Sequence, residues 1–154
     1  MSNQFVEKEI TKIMNEYKEE YPKNVALACA WIIANFKGIN IKVFDMSNSS
    51  SLCDYNIIAS AQNTMQSKAM VDVLVPSLRH TEVEVRSVEG VDEAEWILVD
   101  AGDVIVHLFL ETSRDIFDLD MLWKNQKQVQ IPEEYYFGTP QTETSHSDST
   151  NNYF

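Results

Sequence analysis

The sequence predicts a single α/β (α+β) domain, a mixed five-stranded sheet flanked by helices. Three observations carry this. The 154 residues suffice for one ordinary core and not for two. Apolar residues recur at helical spacing in some stretches and in alternation or short solid runs in others. Their order is helix, helix, strand, strand, helix, three strands, helix. Hydrophobic residues make up 44% of the chain, while glycine and proline number four each, so packed elements dominate over linkers.

Each element has its own signature. FVEKEITKIMNEYKEE (5–20) sets Phe5, Val6, Ile10, Ile13, Met14 and Tyr17 near helical spacing with charges between them. Pro22 interrupts and suits the first turn of a second helix, VALACAWIIANFKG (25–38). That helix is apolar on nearly all sides, as a buried helix is, and Lys37-Gly38 closes it. INIKVFDMS (39–47) alternates Ile39, Ile41 and Val43 with Asn40 and Lys42, which predicts a strand ending at Asp45 before the loop SNSSS (47–51). YNIIASA (55–61) is a second strand. QNTMQSKAMVDVLVPSLRH (62–80) is a helix expected to end or kink near Val75, because Pro76 removes a backbone bond and clashes one turn back. TEVEVRSVEG (81–90) predicts a strand on Val83 and Val85 with a turn at Glu89-Gly90. Two more strands, 95–100 and 103–109, precede a short helical closing segment, 110–123. The last three strands are adjacent in sequence and so antiparallel at least in part. The domain is expected to span 1–124, and the polar stretch 125–154 to be a flexible tail, in which Tyr135, Tyr136 and Phe137 are the residues able to dock.

Composition narrows the function. A net charge of −12 opposes direct nucleic-acid binding, which needs a basic face to neutralise phosphates. It suits a basic protein partner, although acidity that only maintains solubility is the plainer alternative. Two cysteines, Cys29 and Cys53, make neither a disulfide framework nor a zinc site by themselves. MSNQFVEKEI is charged where a secretory signal needs an apolar core, and no run is long enough to span a membrane. A soluble, cytoplasmic protein without membrane contact is expected.

The candidate chemistry centres on WILVDAGDVIVHLF (96–109). Asp100 and Asp103 stand three apart around Ala101-Gly102. A divalent-metal site commonly uses carboxylates at strand spacing, whereas this arrangement suits a hairpin turn. His107 lies between apolar neighbours, where a lone histidine is more often structural than a ligand. His80 and His146 offer it no zinc-ligand spacing. Ser60 follows a strand and precedes a helix but lacks the glycines of a nucleophile elbow, and no glycine loop cradles a phosphate. Asp54 suits the capping of loop amides. Trp96 and Trp123 suit either core or interface. The residues alone describe an acidic domain that binds, with no catalytic residue, metal or cofactor.

SSSLCDYNIIASAQNTMQSKAMVDVL (49–74) resembles the pattern S-S-x-x-D-Y-x-V-I-A-T-x-x-S-x-x-Q-x-x-A-I-A-D of the ribosomal silencing factor (Iojap) family. EGVDEAEWILVDAGDVIVHLFLETSRDIFDLDMLW (89–123) continues the likeness to E-G-x-x-x-x-x-W-x-L-x-D-x-G-D-V-x-V-H-x-F and R-x-x-Y-x-L-E-x-L-W. The resemblance covers residues 22–124. It implies a fold similar to nucleotidyltransferases without their catalytic carboxylates. It also implies binding to the fourteenth protein of the large ribosomal subunit, on the intersubunit face. Small-subunit joining would be blocked sterically and translation repressed when nutrients are short. By motif position, Trp96 is the contact tryptophan, and Asp100 and Asp103 face the basic partner. Ala101 stands where the family carries a larger Leu or Tyr. Asp54-Tyr55 matches the family pair, Phe117 replaces a tyrosine, Asn63 stands near a serine, and His107 matches a histidine of unassigned role. The competing readings are a metal-dependent nucleotidyltransferase-like enzyme built on Asp100, Asp103 and His107, and an adaptor for another basic protein. Homodimerisation through an open sheet edge is left open by the sequence.

Overall fold

Ten consecutive residues from Asn24 to Ile33 are buried in the second helix, as an all-round apolar pattern requires. The computed structural model describes residues 3–49 and 52–137. Its helices are α1 (Asn3–Glu16), α2 (Lys23–Asn35), α3 (Thr64–His80), α4 (Glu111–Phe117), α5 (Leu119–Leu122) and α6 (Glu134–Phe137). The strands are β1 (Ile39–Asp45), β2 (Tyr55–Ala61), β3 (Ser87–Glu89), β4 (Trp96–Asp100), β5 (Val104–Leu110) and β6 (Lys127–Gln128). They form one mixed sheet in the order β3-β4-β5-β2-β1-β6. Among the described residues only β2 and β5 pair in parallel; the other pairs are antiparallel. Four of the five expected strands are present as read, the third is shifted to β3, and the two-residue β6 adds a sixth at the edge beside β1.

Strand alternation divides the sheet into two faces. Ile57, Ala59, Ile97, Val99, Val106 and Leu108 point into the main core, which α2, α3 and the Val6, Ile10 and Ile13 stripe of α1 complete. Side chains of the size of Ile32 or Leu74, fully buried there, each contribute about 2 kcal/mol through lost apolar hydration. The other face carries a smaller cluster around Phe44, Ile58 and Phe109, joined by Trp96, Ile105, Leu119 and Trp123.

Helix ends follow from local chemistry. At the end of α2, Lys37 takes φ +70°, while the Gly38 and Lys37 amides donate to the Ile33 and Ala34 carbonyls. Gly38 is required there by close approach, since a Cβ would lie 2.3 Å from Ile33 Cγ2. Asn63 caps α3 by accepting from the Gln66 amide, and the Gln66 side chain accepts from the Gln62 amide.

Three expectations change. Helix α3 runs through Pro76 to His80 instead of ending near Val75. Pro76 and Asp72 are exposed, so the carbonyl that the ring leaves unpaired is on the wet side, while Val75 and Leu78 keep the helix packed. Val83 and Val85 are not in a ladder: β3 begins at Ser87. The end of α3 takes the preceding residues, because Glu82 adopts φ +67° and the Val83 amide returns to the Leu78 carbonyl. The packed domain also continues beyond residue 124. Lys127–Gln128 pair with β1, and Tyr135, 6% exposed, joins the main core while its carbonyl accepts from Asn35 Nδ2. A few apolar side chains, Val129, Ile131 and Tyr135, suffice to anchor a segment whose average composition is polar. Residues 138–154 of the expected tail lie outside the described residues.

Candidate functional site

Asp100, Ala101, Gly102 and Asp103 form the turn between β4 and β5, closed by an Ala101 amide bond to the Val104 carbonyl. Asp100 Oδ1 accepts from the Gly102 amide at 2.9 Å, and Gly102 supplies φ +83°. Asp103 serves different partners. Its carbonyl accepts from the Asp54 and Tyr55 amides, tying the turn to the start of β2, and its Oδ2 accepts from the Tyr21 hydroxyl at 3.1 Å. Burial, and after it this bond, raises the Tyr21 pKa. Among the described residues no three His, Cys, Asp or Glu side chains stand together as metal ligands. Ala101 is 8% exposed and packs with the main core, so its methyl faces inward and offers no projecting contact.

Trp96 lies at the other end of β4, four residues or about 13 Å from Asp100. The predicted site residues therefore do not form one cluster. Trp96, Leu98 and Asp100 nevertheless share the partly exposed face of β4, with Ile97 and Val99 turned into the core.

Around Trp96 the second sheet face is aromatic. Its ring centroid lies 5.0 Å from that of Phe109, its partner across the β4–β5 ladder, and 4.8 Å from that of Phe117 on α4. Trp123 packs against His107 at 5.6 Å and Phe44 at 5.7 Å. The indole Nε1–H of Trp96 donates to His107 Nδ1 at 3.2 Å, and His107 Nε2 lies 3.0 Å from Asn56 Oδ1. An indole N–H can only donate, so His107 must carry its proton on Nε2 and donate it to Asn56. His107 and Asn56 are 6% and 4% exposed, and burial pushes the His107 pKa down to about 4. The histidine is therefore neutral in ordinary solution, with both ring nitrogens paired.

The helices beside Trp96 are held by a buried arginine. Arg114, 4% exposed, grips Asp120 through Nε and Nη2, both at 3.0 Å. Its Nη1 reaches Ser60 Oγ at 3.0 Å and the Asn40 carbonyl. Lys42 Nζ adds a contact to Asp120 at 2.9 Å. The Arg114 bonds, assisted by Lys42, hold the Asp120 carboxyl at about 2. Asp118, at φ +49°, separates α4 from α5 and caps α5 through the Met121 amide. This arrangement turns Ile116, Phe117, Met121 and Leu122 outward, from 46% to 76% exposed. Of these four, Phe117 is in ring contact with Trp96.

Sequence reasoning singled out Trp96, Asp100, Ala101, Asp103 and His107, but not Asn56, Arg114 or Asp120. A signal was available for the first: Asn56 and Ser60 alternate with Ile58 on one face of an otherwise apolar strand. The arginine coincides with the R that opens the closing motif.

Comparison with known proteins agrees with the sequence patterns. Residues 18–153 match the family model described as ribosomal silencing factor during starvation. The chain is 37% identical over 95 residues to the Chromobacterium violaceum protein named ribosomal silencing factor RsfS, covering 62% of this chain and 78% of that one. A Haemophilus influenzae protein of the same name is 36% identical over 87 residues, covering 56% and 85% respectively. A crystal structure of a Chromobacterium violaceum protein superposes with a TM-score of 0.61 at 29% identity, over 90% of this chain and all of the other.

Proposed function

The chain belongs to the ribosomal silencing factor family, and from that membership we propose that it binds the large ribosomal subunit in the cytoplasm and sterically blocks joining of the small subunit, repressing translation. Its contact on the subunit is a ribosomal protein, the fourteenth, on the intersubunit face. The observation that carries this reading is the aromatic surface around Trp96, with Phe117 exposed beside it and Met121 and Leu122 exposed on the helix that follows. Tryptophan is enriched among interface anchors, and a contiguous apolar patch on a folded domain marks an interaction surface. Exposed carboxylates at Glu95, Asp115 and Asp118 suit a basic ribosomal protein and would steer the encounter. Asp100 and Asp103 lie at the far end of β4, where they extend the acidic character without contacting the tryptophan. The action is occlusion: no bond is made or broken, and the residues named need only bind.

The test is sedimentation of the purified protein with separated ribosomal subunits, followed by addition of small subunits. Comigration with large subunits and fewer joined ribosomes are expected. Trp96→Ala should lose comigration while its circular dichroism is unchanged. Failure of the native protein to comigrate at low salt would overturn the ribosomal reading and favour an adaptor for another basic protein.

A further inference from the structure

The geometry points to His107, oriented by Asn56, as the positioning residue that holds the Trp96 indole in its partner-binding orientation; this rests on the ribosomal reading of the Trp96 surface. Three groups on three neighbouring strands are involved: Asn56 on β2, His107 on β5 and Trp96 on β4. The order of hydrogen bonds among them has one solution. Trp96 Nε1–H needs an acceptor, so Nδ1 of His107 is unprotonated, Nε2 carries the hydrogen, and Asn56 presents its oxygen.

The two buried members make no outward surface of their own. What they determine is how the partly exposed Trp96 lies. Phe109 and Phe117 flank the indole, and the bond to His107 removes its freedom to rotate between them. A side chain already held in its bound orientation loses less freedom on association. The arrangement also specifies the chemistry offered to the partner. Because the indole N–H is donated inward, the partner meets the hydrocarbon edge and the π face. These suit aliphatic side chains and the lysine or arginine of a basic protein, through cation–π contact. They do not suit a partner that seeks a hydrogen bond from the indole.

Nitrogen-15 spectra of the native protein should show His107 protonated on Nε2 alone at neutral pH, with the Trp96 indole proton protected from solvent exchange. Protonation on Nδ1 would overturn the inference. His107→Phe keeps a ring and removes the acceptor, whereas Asn56→Leu frees the histidine to move its proton to Nδ1. Each variant should lose the protected indole resonance and weaken binding to purified large subunits about fivefold or more, the scale of one hydrogen bond. The double variant should bind no worse than the weaker single one. His107→Asn, whose Oδ1 lies near the position of Nδ1, should restore much of the affinity. Folded His107→Phe and Asn56→Leu proteins that bind normally, while Trp96→Ala does not, would overturn the positioning role and leave the Trp96 surface standing. If Trp96→Ala also binds normally, the surface itself is elsewhere and both readings fall.

Discussion

The hydroxyl of Tyr21 donates to Oδ2 of Asp103 at 3.1 Å, although 82 positions separate the two residues. The bond joins the segment between α1 and α2 to the β4–β5 turn. Tyr21 is 61% exposed, so water competes for both partners. Tyr21→Phe is therefore expected to cost no more than about 1 kcal/mol in urea unfolding, with an unchanged slope.

Arg114 and Asp120 should behave differently. Replacing Asp120 by Ala leaves a guanidinium that is 4% exposed without its two-pronged partner, and a loss of about 3 kcal/mol is expected. The α4–α5 patch should loosen with it, as increased amide exchange across 111–122. The folded-state pKa of this carboxyl lies near 2, below its ordinary 3.8. Its contribution to stability is thus present above pH 3.8 and is lost as pH falls through about 2. Urea midpoints of the native and Asp120→Asn proteins should converge across that window.

His107 shifts stability in the same direction, over a higher pH window. Its pKa is near 4 in the folded protein against 6.5 when exposed. Below pH 6.5 the unfolded chain takes up a proton that the folded chain refuses until about pH 4. Stability should fall across that interval by up to about 3 kcal/mol. His107→Phe removes this titration, so the native-minus-variant difference in urea stability should shrink steadily from pH 6.5 to 4. A difference that stays flat would show that the histidine is solvated.

Gly90 couples a turn to the site. It sits at φ +84°, and a Cβ there would lie 2.1 Å from the Trp96 carbonyl oxygen. Because the obstacle is backbone, no side chain can yield. Gly90→Ala should destabilise by at least about 2 kcal/mol in thermal unfolding and shift the Trp96 indole resonance.

How far such features can be read from a sequence depends on the range of the interaction. The strands 39–45 and 55–61 are legible to the residue, because alternation and polar flanks are local. Asp100-Ala101-Gly102-Asp103 is likewise legible as a turn, since its bonds span two or three residues. Pro76 misleads because its penalty is local while the packing that overrides it comes from other helices. Val83 and Val85 alternate like a strand, yet the left-handed Glu82 diverts the chain before pairing starts. The docking of Tyr135 on the core is invisible in a stretch whose average composition is polar. Within the site, Trp96 is legible by type and motif. Its dependence on Asn56 is not, because only the pairing of Asn56 with Ile105 and of Ile58 with His107 brings the amide to the imidazole.

The parallel β2–β5 pair has a consequence for the order of folding. Tyr55 pairs with Val104, so α3, β3 and β4 must all lie between the halves of the central ladder. Closing so long a loop is entropically slow and is rewarded only once both strands dock. A growing chain can form the β1–β2 hairpin early, but β2 waits for β5 to be synthesised. Asn56 stands on the early side of that closure and Trp96 with His107 on the late side. The surface assigned to the ribosome is therefore absent from any nascent chain that ends before β5, because Trp96 then lacks both the ladder and the His107 bond that hold it.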